Sequence, residues 1–178
     1  MTEVICSTVL RPGNEPGNPE HAEVTIASTT FAFGEILYEA TLHFTKVTDY
    51  GFSMAALLGG QAPPPPAGSQ IDVWFEGDVS GPKIKGHMSG IDYLQIRADG
   101  QVRLHIHAEI ATGDGERIAF FGDGIIRPDP ATGLLLLREN IALTSAFPSY
   151  AWVNTVVGWG QGTVDPATGE IRVTVYAV

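Results

Sequence analysis

Apolar and ionisable residues alternate without a break from Leu104 to Ile110, in the run Leu-His-Ile-His-Ala-Glu-Ile. A strand has period two, so Leu104, Ile106, Ala108 and Ile110 share one face while His105, His107 and Glu109 share the other. Asp99-Gly100 and Asp114-Gly115 bracket the run, and glycine supplies the positive φ that tight hairpin turns need. Arg117 to Phe121 has strand composition again, which makes this stretch a β-hairpin. The same period marks Ile36 to Val47, with Tyr38, Ala40, Leu42 and Phe44 on one face and Glu39, Thr41, His43 and Thr45 on the other. Further strand character lies at Val24–Phe31, Ile71–Glu76, Lys83–Met88 and Asp92–Arg97. The pentapeptide Asp-Pro-Ala-Thr-Gly occurs at 129–133 and again at 165–169, each copy reading as a hairpin loop with a preset Pro φ and a closing glycine. The first copy feeds LLLLRENIALT and the second EIRVTVYAV, with Tyr150 to Trp159 between them. The count is about nine or ten strands, with no long helix. An all-β protein follows, a sandwich or a closed barrel. A single antiparallel barrel of about eight to ten strands is the expectation, because closure removes exposed edges.

Two stretches interrupt the pattern. Residues 1–22 are expected to form an irregular arm, since RPGNEPGNPEHA concentrates proline and glycine, and residues 23–178 the barrel domain. Residues 51–68, GFSMAALLGGQAPPPPAG, combine an apolar cluster able to form one helical turn with four consecutive prolines that cannot donate to a ladder. A segment of this length without strand signals reads as a lid or rim loop, or as a bare excursion.

Charge narrows the partners. Ten basic residues against twenty acidic ones give a net charge of −10, a field that repels phosphate backbones and anionic membranes. Nucleic acid is excluded as a partner on this ground, and no apolar run reaches the roughly 20 residues of a membrane span. The beginning MTEVICSTVL lacks a basic start followed by an apolar core, and the single cysteine, Cys6, fits a reducing compartment, so a cytoplasmic location is expected. A small-molecule ligand is the expected partner, with homo-oligomerisation left open.

Three groups of residues could carry chemistry. His105, His107 and Glu109 on one strand face suit metal ligation, a metal-free polar lumen with His107 beside Glu109 as general base, or a solvated outer face. If Leu104 and Ile106 face the lumen, period two sends all three outside. Asp92 is expected to follow a turn containing Gly90 and would be a proton acceptor if buried, because desolvation raises a carboxyl pKa; the bland alternative is a turn-capping carboxylate beside a wall aromatic, Tyr93. Tyr150, Trp152 and Asn154 would share a strand face, either as core packing or as a flat, partly polar wall for a ligand, to which Trp74 could add. Glycine-rich Gly158–Gly162 lacks the following helix of a phosphate cradle, and no serine sits in a nucleophile elbow.

The second half carries a further pattern: Gly77-Asp78-Val79-Ser80-Gly81-Pro82-Lys83-Ile84-Lys85-Gly86, then Ser89-Gly90-Ile91-Asp92-Tyr93, then Tyr150-Ala151-Trp152-Val153-Asn154, and a closing Val175-Tyr176-Ala177-Val178. In this order and spacing the motifs resemble the domain-of-unknown-function 3237 family over roughly residues 70–178. The resemblance implies a small antiparallel barrel and little about chemistry. Here His105 and His107 stand where that family usually has an Asp and an Arg. The expected function is a cofactor-free barrel enzyme that performs acid–base isomerisation, cyclisation or elimination on a small apolar oxygenated or aromatic metabolite. The catalytic candidates are Asp92, His107, Glu109 and Tyr150, and the binding candidates Trp74, Tyr93, His105, Trp152 and Asn154. No metal or other cofactor is expected. The alternative is a barrel that binds such a ligand without transforming it.

Overall fold

A computed structural model describes residues 34–58 and 63–178. Eight strands run in chain order: β1 (Ile36–Asp49), β2 (Ser69–Ser80), β3 (Gly86–Ile96), β4 (Val102–Thr112), β5 (Arg117–Pro128), β6 (Leu135–Thr144), β7 (Val157–Asp165) and β8 (Glu170–Ala177). Each pairs antiparallel with the next, and β8 returns to β1, so the sheet is a closed up-and-down barrel. The strand expected at Val24–Phe31 and the arm at 1–22 lie outside the described residues. One short helix, α1 (Met54–Leu58), and a 3-10 turn at Ala151–Thr155 complete the elements. Among the described residues no helix is long and apolar enough to cross a membrane.

Period two decides what is inside. Leu104, Ile106 and Ile110 of β4 are buried while Arg103, His105 and His107 are exposed. The inner row of β1 is Tyr38, Ala40 and Leu42, with Phe44 half-buried at its end; that of β6 is Leu135, Leu137, Glu139, Ile141 and Leu143. The two Asp-Pro-Ala-Thr-Gly repeats form equivalent loops. Asp129 and Asp165 each accept the amide N–H of the alanine two residues on, and Gly133 and Gly169 close them at φ 76° and 75°.

Two local expectations are corrected. The two strands expected at Lys83–Met88 and Asp92–Arg97 are one continuous strand, Gly86–Ile96, with Lys83–Lys85 before it and Arg97 after it, and Gly90 makes no turn. It sits in the inner row of β3, where β4 approaches so closely that a Cβ would lie 2.6 Å from the His107 carbonyl oxygen and collide with the Ala108 methyl. Tyr150 to Asn154 is not a strand. The chain crosses from β6 to β7 through Phe147-Pro148 into the 3-10 turn, and Val153, fully buried, plugs that end of the barrel. Replacing Gly90 with Val should cost about 1–3 kcal/mol, since β3 and β4 must separate to admit the side chain. Urea unfolding would measure it, with a clear drop in midpoint as the expected outcome.

Candidate functional site

The barrel encloses a cavity of about 540 Å³. That lies within the range of small-ligand sites, whereas many eight-stranded barrels have only enough interior for their own side chains. The inner row of β7 is Gly158, Gly160 and Gly162 before Val164, and neighbouring groups close over these positions: at Gly162 a Cβ would collide with the Arg172 carbonyl oxygen of β8. A Cβ at Gly160 would stand 2.9 Å from Ile141 Cδ1 and 3.0 Å from Glu139 Oε2. Phe44, Val47, Met54, Ala55, Pro166 and Ala167 contribute to its lining where β1, α1 and the β7–β8 loop meet, so this end is the mouth; the 3-10 turn is at the other.

The lining is aliphatic and aromatic except for three polar side chains: Tyr38 from β1, Asp92 from β3 and Glu139 from β6. Asp92 and Glu139 each lie four residues in from the mouth end of their strand, and closure of the barrel turns both toward the axis. Asp92 holds one anchor. The β3–β4 ladder lapses between Asp92–Ile106 and Gln95–Arg103, and in that gap the His105 backbone N–H donates to Asp92 Oδ1 at 2.8 Å. Burial pushes the Asp92 carboxyl up to about 7, against the opposing pull of that hydrogen bond. Glu139 has no hydrogen-bond donor among the described residues, and burial, reinforced by the Asp92 charge, pushes it up to about 8. The Tyr38 phenol is 1% exposed and its Oη makes no hydrogen bond with the described residues. Burial, with the Glu139 charge behind it, keeps that phenol in its O–H form.

Most of the other sequence candidates lie elsewhere. His105 and His107 are on the outer face of β4, and Glu109, beside them, pairs with Arg117. Tyr93 and Trp74 also face outward, Tyr93 against the two histidines and Trp74 under the Lys46 ammonium, 4.2 Å from its ring centre. Tyr150 is at the end opposite the mouth, its hydroxyl 3.4 Å from Asp114 of the β4–β5 turn. Trp152 packs against the core from the same segment. Asn154 is a fastener: its amide donates to the Ser145 and Ala151 carbonyls while its oxygen accepts the Ser145 N–H. Only Asp92 of the predicted set lines the cavity, and Tyr38 and Glu139 were not singled out. Among the described residues no three His, Cys, Asp or Glu side chains gather as a metal site.

Comparison with known proteins places the chain. A family model described as a protein of unknown function, DUF3237, matches residues 66–178. The chain belongs to the DUF3237 family. The matched span runs from the entry to β2 to the C-terminus and contains Asp92 and Glu139, whereas Tyr38 on β1 precedes it. Solved structures with the same fold include a β-barrel-like protein from Acinetobacter baumannii, with a TM-score of 0.66 and 15% identity over 85% of this chain and 99% of that one. A protein of unknown function from Clostridium acetobutylicum gives 0.65 at 21% identity, covering 81% and 97%. An enzyme from Penicillium herquei gives 0.54 at 19% identity, covering 84% and 98%. No curated protein matches the chain.

A DUF3237 barrel with this interior has a testable stability signature. An unfolded carboxyl ionises near 4, whereas Asp92 and Glu139 hold their protons up to about 7 and about 8. Their protonated forms therefore contribute stability that is complete below pH 4 and drains as pH rises, until it is lost above the folded values. Glu139→Gln, which keeps shape and removes the charge, should raise Tm at pH 8.5 by several degrees and leave it nearly unchanged at pH 4. Calorimetry at the two pH values checks this.

Proposed function

We propose that this DUF3237 barrel is a cofactor-free acid–base enzyme acting on a small, apolar, oxygen-bearing metabolite, with Asp92 as base, Glu139 as acid and Tyr38 as hydrogen-bond donor. The observation that carries the reading is the pair of buried carboxyls with unequal surroundings, set beside an unpartnered phenol in an otherwise apolar cavity. A barrel that needed only a core would have Leu at both acidic positions. Leaving a buried hydroxyl unpaired costs about 1–3 kcal/mol, a cost that a ligand oxygen would offset.

The division of labour follows from the environments. The His105 N–H favours the Asp92 carboxylate, so Asp92 loses its proton first, and its negative charge then holds Glu139 in the acid form. In that state the cavity contains one base and one acid on different strands. Asp92 would take a proton from a carbon or hydroxyl of the substrate, Glu139 would return one to a second atom, and the Tyr38 O–H would donate to oxygen on which charge develops. The net change is an isomerisation, a ring closure or an elimination, none of which needs an electron acceptor. Among fold relatives, the Penicillium herquei protein is described as an enzyme, which agrees with catalysis on this scaffold.

The mouth has the features of a lid. Phe52 is buried, Met54 and Ala55 reach the cavity, and the segment is tethered where Tyr50 donates to Asp72 at 2.7 Å and Gln70 donates to the same carboxylate at 2.6 Å. Met54→Gln should weaken binding of an apolar ligand by about tenfold, readable by titration with a fluorescent apolar probe such as anilinonaphthalene sulfonate. The almost wholly apolar lining also supports a second reading, a carrier that holds its ligand unchanged.

Native mass spectrometry of protein purified from its own host would identify the bound molecule. That molecule and its close relatives, incubated with the protein in D2O, should gain deuterium or change connectivity. Asp92→Asn should slow this by about 10²–10⁴-fold and Glu139→Gln by a similar factor, with binding retained. The wild-type rate should peak between pH 7 and 8, falling on the acid side as Asp92 is protonated and on the alkaline side as Glu139 ionises. A ligand recovered without exchange or rearrangement would make the protein a carrier.

A further inference from the structure

On the outer face of β4, away from the cavity, His105 and His107 bring their Nε2 atoms to 3.3 Å. We propose that this pair is a surface clamp for a late first-row divalent metal ion of the Cu(II), Ni(II) or Zn(II) kind. Two imidazole nitrogens bound at about 2.0–2.1 Å stand about 3.3–3.4 Å apart at the tetrahedral angle of Zn(II) and about 2.8–3.0 Å apart at the right angle of a tetragonal Cu(II) or Ni(II) site, so the pair has the first bite and reaches the second by a small turn of the rings. The ring centres are 5.0 Å apart and the planes are inclined at 56°. In the free chain the two nitrogens are in hydrogen-bond contact, one imidazole as donor and the other as acceptor, and a metal ion would take the place of that shared proton between them.

The rings are also held in place. Phe121 of β5 meets both edge-on, at 5.4 and 5.3 Å between centres, and Tyr93 of β3 packs on the other side at 6.1 and 6.2 Å. Such bracketing limits the rotamers that a surface histidine would otherwise sample, so less entropy is lost on chelation. Both side chains are exposed, leaving the metal an open approach. Among the described residues no third His, Cys, Asp or Glu completes the set, so water fills the remaining positions. With two imidazoles as the protein's whole contribution, Cu(II) should bind most tightly, following the general order of divalent affinities. The barrel wall separates this clamp from the cavity, and it stands independently of the acid–base reading.

Cu(II) titrated into the full chain and followed by electron paramagnetic resonance tests the proposal. Expected are one copper bound per chain with two nitrogen ligands, affinity at least about tenfold weaker in His105→Ala and in His107→Ala, and no loss in His43→Ala or His87→Ala. In the unsubstituted chain, substoichiometric Cu(II) should selectively broaden the His105 and His107 imidazole resonances, a readout that needs no variant to fold. Copper whose affinity survives both alanine substitutions, or which broadens other histidines first, would overturn the assignment.

Discussion

A closed antiparallel ladder gives each strand one inward row, and everything placed in that row is taken from water whether or not it is apolar. This constraint governs the molecule. Eight rows converge on one axis, and an average set of side chains would fill the space between them. Along β7, Gly158 and Gly160 leave room into which Ile141, Val175 and Glu139 pack, whereas at Gly162 the β8 backbone itself closes in. Closure also removes the edges that a sheet of exposed Thr, Val and Trp would otherwise present to other chains.

The same constraint makes Asp92, Glu139 and Tyr38 costly. None has a counter-charge, and Asp92 alone holds a backbone donor, so the interior tolerates the carboxyls chiefly by keeping them neutral. Neutral carboxyls in a stable core are weak fasteners, which sets them apart from Asn154 or the Tyr50–Asp72 contact, where each polar atom is matched. Stability is sacrificed at the cavity and recovered in the ends and the ladder, the distribution that the proposed acid–base role calls for.

Most of the fold was legible because period two is a property of strands that survives any environment. The β4 and β1 rows were read from it, the paired loops at 129–133 and 165–169 from their Pro and Gly turn chemistry, and barrel closure from the strand count and the cost of exposed edges. Gly90 was misread because a glycine inside a strand has two physical causes, a turn and a close approach, and sequence does not separate them. Tyr150–Asn154 was misread because a 3-10 turn with one buried residue leaves no periodic trace. The site was legible only in part, for a different reason. The histidine and glutamate candidates lie on a strand face rich in ionisable groups, and such faces are mostly solvated. The informative signal was the reverse: one acid in an apolar row, as in Met88-Gly90-Asp92-Leu94-Ile96 and Leu135-Leu137-Glu139-Ile141-Leu143. Tyr38 was placed on the correct face but passed as an apolar wall residue, since a phenol's missing partner is visible only in three dimensions.

One strand ties the outer face to the inner one. The side chain of His105 points to solvent while its backbone N–H reaches the Asp92 carboxylate. An amide donates whatever side chain is attached, so His105→Ala should leave the Asp92 pKa in place, whereas moving the β4 backbone should not. A proline at 105 would remove the donor outright, leaving burial unopposed, and Asp92 would then ionise at higher pH than its present value of about 7. That hydrogen bond pulls Asp92 down while the Asp92 charge pushes Glu139 up, so its loss would draw the two titrations together and blur the proposed distinction between base and acid. The proposed division of roles in the cavity therefore rests in part on a backbone atom, and a lapse of two residue pairs in the β3–β4 ladder is what frees that atom to serve it.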